Sequence, residues 1–386
     1  MKYLPLALFL AAASTWVSGQ ESGGIQFSGT LSANLTDDLQ SGNATFDNNA
    51  GDTYIQLNAT LKEGAFGMDS QLQFGPSGSV NPVSNFFYHY GYGYANFLNN
   101  RLYLAVGRLI DLNSFGLNSA YLESTDGPGV YGNAPGKVGS TGFGYNGAEL
   151  RIAPVAGLLI GVLIPYNPDP FPIVKSTFEA MRVNISYTVE KAVQVVVGYQ
   201  AHTIDVADYS VPSTADPNTV VGKNKLFALA NLLLSEDLVA GARVELDHSI
   251  TPLQWYSVNA YLTAGGKIGG IWVGVDGAMY APSDWTPGFE ALATLSDTFH
   301  DVLTSVDLQP SVSAGFFNSN YPVVTLESGV TTTGRNGDNF FTVNPQLKLL
   351  LGRSQHVLAL GYTLTVDLDN QSILLNQINV LAQFYF

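Results

Sequence analysis

The sequence predicts an all-β chain of about eighteen antiparallel strands, with sixteen as the alternative count, running up and down and closing into a barrel that crosses a membrane. Three observations point there. Segments of the length that a tilted strand needs to cross a bilayer alternate apolar and polar residues with a period of two. Hydrophobic residues make up 46% of the chain and charged ones only 12%, yet the apolar content never gathers into a run long enough for a spanning helix. Short connections, finally, interleave with long polar ones.

The elements follow in order. Met1-Lys2, the apolar run 4–13 and the small residues near Val17-Ser18-Gly19 have the plan of a secretory signal peptide, with cleavage expected after Gly19. Residues 1–19 are therefore expected to be removed and residues 20–386 to form one barrel domain. The chain has no cysteine, which excludes disulfides, a cysteine-linked lipid anchor and thiolate chemistry. The longest apolar stretch after the leader, 154–166 (PVAGLLIGVLIPY), is too short to span as a helix and is flanked by prolines. Forty glycines, 21 phenylalanines and 20 tyrosines suit many strands and tight turns.

The alternation is sharpest over 238–247, where Leu238, Ala240, Ala242, Val244 and Leu246 oppose Val239, Gly241, Arg243, Glu245 and Asp247. Such a strand needs lipid on one side and water on the other. The same pattern directs Gln194, Gln200 and His202 inward from 193–202, and Trp272 and Asp276 inward from 271–280. In 356–366, Leu358, Leu360, Tyr362, Leu364 and Val366 oppose Ala359, Gly361, Thr363 and Thr365. Short joins are expected at 62–64, 99–100, 190–191, 235–237 and 352–355. Long ones are expected at 36–51, 75–85, 111–139, 165–177, 203–223, 281–300 and 331–338. Strands are also expected over 304–317 and 321–330, although each contains a proline, Pro310 and Pro322.

The closing segment 377–386 places Ile378, Val380, Ala382, Phe384 and Phe386 on one face and Gln377, Asn379, Leu381, Gln383 and Tyr385 on the other. This strand, with the alternation and loop asymmetry before it, resembles the bacterial outer-membrane β-barrel porins. The resemblance implies an integral outer-membrane protein with both termini periplasmic, short periplasmic turns and long external loops. It also implies that the insertion machinery reads Phe386 and Phe384, and that the barrel assembles as a homotrimer. In general porins the third external loop folds inward and narrows the channel. Here that loop is 111–139, with Asp111, Glu123 and Asp126, and the alternative is a surface loop.

Function is read from what the lumen holds. A barrel of this width leaves an aqueous channel, and no catalytic constellation, phosphate loop or metal cluster is legible in the five scattered histidines. Asp247-His248 does not form one, because strand neighbours point to opposite faces. Asp37-Asp38 and Asp367-Leu368-Asp369-Asn370 read as turn carboxylates, with calcium ligation as the alternative. The expectation is a non-enzymatic channel for small hydrophilic solutes, with no cofactor and no metal. The excess of 31 acidic over 16 basic residues excludes a nucleic-acid partner and biases the pore toward cations.

Arg182, Arg243, Glu245, Asp247, Asp276 and Asp69 are the candidate selectivity residues; Asp307 shares their inward parity, and Arg151 and Lys348 join them toward the periplasmic end. The alternative for Arg243 and Glu245 is that they pair and stiffen the wall. Tyr88, Tyr90, Tyr92 and Tyr94 form a row that, if it faces inward with Tyr103, Tyr261 and Trp272, makes an aromatic track as in sugar-specific porins. If it faces lipid it is a girdle. The rival function is a structural or adhesive surface barrel with an occluded lumen.

Overall fold

In a computed structural model the chain is described over residues 25–40, 42–46, 54–74, 86–109, 145–165, 181–189, 192–203, 223–235, 238–250, 253–282, 287–318, 339–352 and 356–386. Twenty strand segments follow one another. The first ten are β1 (Gln26–Asp38), β2 (Asn43–Phe46), β3 (Tyr54–Glu63), β4 (Phe66–Phe74), β5 (Phe86–Phe97), β6 (Leu102–Leu109), β7 (Tyr145–Ile152), β8 (Leu158–Pro165), β9 (Arg182–Val189) and β10 (Val193–Thr203). The rest are β11 (Lys223–Ser235), β12 (Leu238–Ile250), β13 (Leu253–Ile268), β14 (Ile271–Pro282), β15 (Gly288–Ser296), β16 (Phe299–Leu303), β17 (Val306–Asn318), β18 (Asn339–Leu351), β19 (His356–Asp367) and β20 (Ser372–Tyr385). No helix occurs among the described residues.

These segments form a closed barrel of eighteen antiparallel strands. β2 and β3 both pair with β1 and count as one interrupted strand, as do β15 and β16, which both pair with β17. The second break has a chemical cause. It falls at Asp297 and Thr298, opposite Pro310, which has no N–H to give to the ladder, although its carbonyl still accepts the Asp297 N–H at 3.2 Å. Closure comes from β20, which lies against β1 from Thr30↔Tyr385 to Asp38↔Gln377. A closed sheet has no edge, so every ladder can be satisfied inside a bilayer that offers no hydrogen bonds.

The two-residue period sorts the side chains as expected. Val195, Val197, Val244, Leu262, Val275 and Leu360 are exposed on the outside, while Asn184, Asn231, Arg243, Thr263, Asp276 and Thr365 are buried on the inside. A wall that is aliphatic without and polar within is the pattern lipid and a wet lumen impose.

Two expected loops need correction. Within 36–51, residues 36–38 belong to β1 and 43–46 form β2. Residues 281–300 are not one long loop, since 288–296 and 299–303 are strand. Phe289 and Leu295 are exposed while Leu292 and Thr294 are buried, and the inward leucine masks the alternation in the sequence. The strand expected over 304–317 is β17, despite Pro310. The strand expected over 321–330 lies outside the described residues, and the count of eighteen is reached without it. Residues 1–24 and the loop 111–139, with Asp111, Glu123 and Asp126, also lie outside them.

Candidate functional site

The inward-facing side chains divide the lumen into two unlike walls. On β5 to β14 the interior carries apolar clusters with buried charged groups set among them. Ala105, Leu109 and Leu163 form one buried cluster against which Tyr92, Tyr94 and Tyr103 pack, and Val196, Phe227, Leu229, Tyr261 and Ala278 form another. On β15 to β20 and β1 most of the buried polar groups are hydroxyls and amides, among them Ser32, Thr294, Ser313, Asn344, Thr363 and Asn379, and the buried charge among the described residues is Asp367.

Three members of the tyrosine row face the lumen, and the side chain of the fourth, Tyr88, lies outside the description. Tyr90, Tyr92 and Tyr94 stand ring beside ring, with centroids 6.0 and 6.2 Å apart, and Tyr94 stacks on Tyr103 at 5.7 Å. Tyr94 lies over its cross-strand partner Gly67, where any side chain would collide with the ring. The Tyr92 hydroxyl donates to Asp69 at 3.4 Å, which places Asp69 inside as well. A register shift between Gln71 and Leu72 breaks the alternation before Tyr88, which pairs with Leu72. The ring faces are occupied largely by one another and by the cluster beneath them.

Most of the expected charged residues sit in the packed wall. Arg243 and Glu245, two apart on β12, are 3% and 0% exposed and bridge at 2.5 Å. The Arg243 guanidinium lies 4.6 Å from the centroid of Phe227, which itself covers Gly198 on the next strand, and the Tyr261 hydroxyl donates to Glu245 at 3.4 Å. Burial in low dielectric makes a charge costly unless it is paired, and here each charge is held by its neighbour and by a ring. β7 repeats the device: Arg151 bridges Glu149 and lies 4.9 Å from the Tyr103 centroid. Glu149 was not anticipated, although its spacing from Arg151 matches that of the other pair.

Arg182 is buried on β9, in register with Leu163 and Gln200, and Asp276 is buried on β14 beside Thr263. Asp247 pairs with Lys225 and Ser257, and its side chain is outside the description. His248 follows a register shift and sets its ring 6.1 Å from that of Tyr199. Asp367 accepts hydrogen bonds from the N–H groups of Asp369 and Asn370 at 3.0 and 2.9 Å, the geometry of a carboxylate closing a turn. Among the described residues no group of three or more His, Cys, Asp or Glu is placed to hold a metal ion.

The residues sequence reasoning passed over are the small polar ones. Gln309, Ser311 and Ser313 on β17, and Asn344 and Gln346 on β18, line a cavity of about 590 Å³ with Thr294 and with Trp272 and Lys348, which the sequence already placed inside. Their signal was the same two-residue period, but a row of small polar groups on a strand carries no motif.

Compared by sequence, the chain matches no protein-family model and no curated protein. By structure it is similar to OccK10 (OpdN) of Pseudomonas aeruginosa, with a TM-score of 0.55 at 10% sequence identity over 95% of this chain and 99% of that one. It is also similar to OccAB2 of Acinetobacter baumannii, with 0.54 at 10% identity over 96% and 99%. OpdL of Pseudomonas aeruginosa gives 0.54 at 12% identity over 94% and 98%. These are outer-membrane β-barrel porins, and the likeness is one of fold.

Proposed function

We propose that this protein is an outer-membrane porin, a passive diffusion channel for small hydrophilic solutes and ions, with no chemical step. The observation that carries the reading is the closed eighteen-strand wall, exposed aliphatics outside and polar groups inside, at a width where side chains alone do not fill the lumen. In this reading residues 1–19 are a cleaved export signal, and Phe386 with Phe384 is the mark the insertion machinery reads. Lipid covers the outer face, three copies assemble, and the 111–139 loop narrows the passage.

Weak cation preference follows from the charge balance. Two of the inward arginines, Arg243 and Arg151, are each paired in place with a glutamate two residues away. The acidic excess of the rest of the chain then sets the sign of the field at the mouths. The tyrosine row, packed into the wall, contributes rigidity in this reading rather than a track.

Reconstitution into planar bilayers tests the proposal. Discrete, stable conductance steps are expected. A barrel that is folded, as shown by its heat-dependent gel migration, and yet conducts nothing would favour the structural or adhesive role instead.

A further inference from the structure

The hydroxyl-rich wall contains a built cavity, and its lining is ordered by strand register. Its volume of about 590 Å³ lies within the roughly 300–1,000 Å³ of small-molecule sites. One rung runs across five neighbouring strands through Lys267, Trp272, Ser296, Ser311 and Gln346. The next rung carries Thr294, Ser313 and Asn344. Adjacent strands are about 4.8 Å apart, so polar groups recur at that interval beside a single indole.

The ionisable lining groups, Lys267, Lys348, His300 and Asp297, are the less buried ones, whereas Thr294, Ser313 and Asn344 are 7%, 5% and 7% exposed and uncharged. The Thr294 and Ser313 hydroxyls lie 3.1 Å apart, and the buried Asn344 Oδ1 accepts no hydrogen bond from the described residues. A buried acceptor in that condition is costly unless something donates to it.

We propose that this cavity is a binding subsite for a small neutral polyhydroxylated solute of mono- or disaccharide size. Such a solute has an apolar ring face to lay on Trp272 and hydroxyls that both donate and accept. One hydroxyl donates to Asn344 Oδ1, and others exchange hydrogen bonds with Thr294, Ser313, Ser311 and Gln346. The inference rests on the channel reading and adds to it a place where the solute pauses, at the barrel end that carries Gly29 and Phe386.

Single-channel current is recorded while glucose or maltose is added to one side at a time. The expected result is a concentration-dependent block, stronger from the short-turn side, with Trp272→Ala and Asn344→Leu each raising the half-blocking concentration about tenfold relative to that variant's own open current, a loss of about 1.4 kcal/mol. Calorimetric titration of maltose into the detergent-solubilised barrel reads the same site without conduction, so a non-conducting barrel that binds sugar defeats the channel reading but not the subsite. An open channel with neither block nor heat of binding overturns the subsite alone. Block by gluconate without block by neutral sugars overturns it in favour of an anion site. Block abolished by Tyr92→Ala but untouched by Trp272→Ala moves the solute to the other wall and also overturns it.

Discussion

Phe386 and Gly29 join the two ends of the barrel as a cross-strand pair. Each backbone N–H donates to the other residue's carbonyl, at 2.7 and 3.0 Å, and the phenylalanine ring covers the glycine on the outer face, so that a methyl group on Gly29 would sit 2.5 Å from Cζ of Phe386. The residue that the family resemblance assigns to insertion is thus also a structural closure. Gly29→Val should push the ring off the seam and cost about 1–3 kcal/mol, the usual penalty of overpacking. The measurement is the temperature at which the compact gel band gives way to the unfolded one. An unchanged temperature would separate the ring contact from barrel stability.

The Arg243 and Glu245 pair gives the largest expected stability effect. Removing only the arginine leaves a carboxylate that is 0% exposed beside Phe227, and Arg243→Met should destabilise by about 3–5 kcal/mol. Combining it with Glu245→Gln removes the charge as well and should recover most of the loss. Urea unfolding in detergent, read by circular dichroism, distinguishes the two variants.

Selectivity should follow the acidic excess rather than the buried arginines. Zero-current potentials across a potassium chloride gradient are expected to carry the cation-selective sign. The preference should grow in dilute salt, because charges at the mouths act over a Debye length of about 10 Å at 0.1 M. Asp276→Asn should weaken it. A potential of the anion-selective sign would show that Arg182 and its neighbours govern the narrowest point.

The proposed inward path of the 111–139 loop has a direct consequence. Deleting residues 118–136 should raise single-channel conductance while leaving the heat-dependent migration of the barrel intact. An unaltered current would place that loop outside the passage.

The amino-acid sequence by itself determined the barrel. Alternation with a period of two is a local property, legible residue by residue. It fixed which face of 238–247 meets lipid, the inward placement of Trp272 and Asp276, and the closing strand. What it hid were the places where a local rule met a distant partner. The segment 288–303 reads as loop because Leu292 points inward and because its break at Asp297 is set by Pro310 on the neighbouring strand. The register shift that pairs Tyr88 with Leu72 is likewise set by the neighbouring strand. Only the closed sheet decided which inward residues share a height, since register between strands is fixed by the whole ring of pairings and not by any one strand. That ring set Phe227 of the neighbouring strand against the Arg243 and Glu245 pair, and it gathered Trp272, Thr294, Ser313 and Asn344 around one cavity from four separate segments of chain.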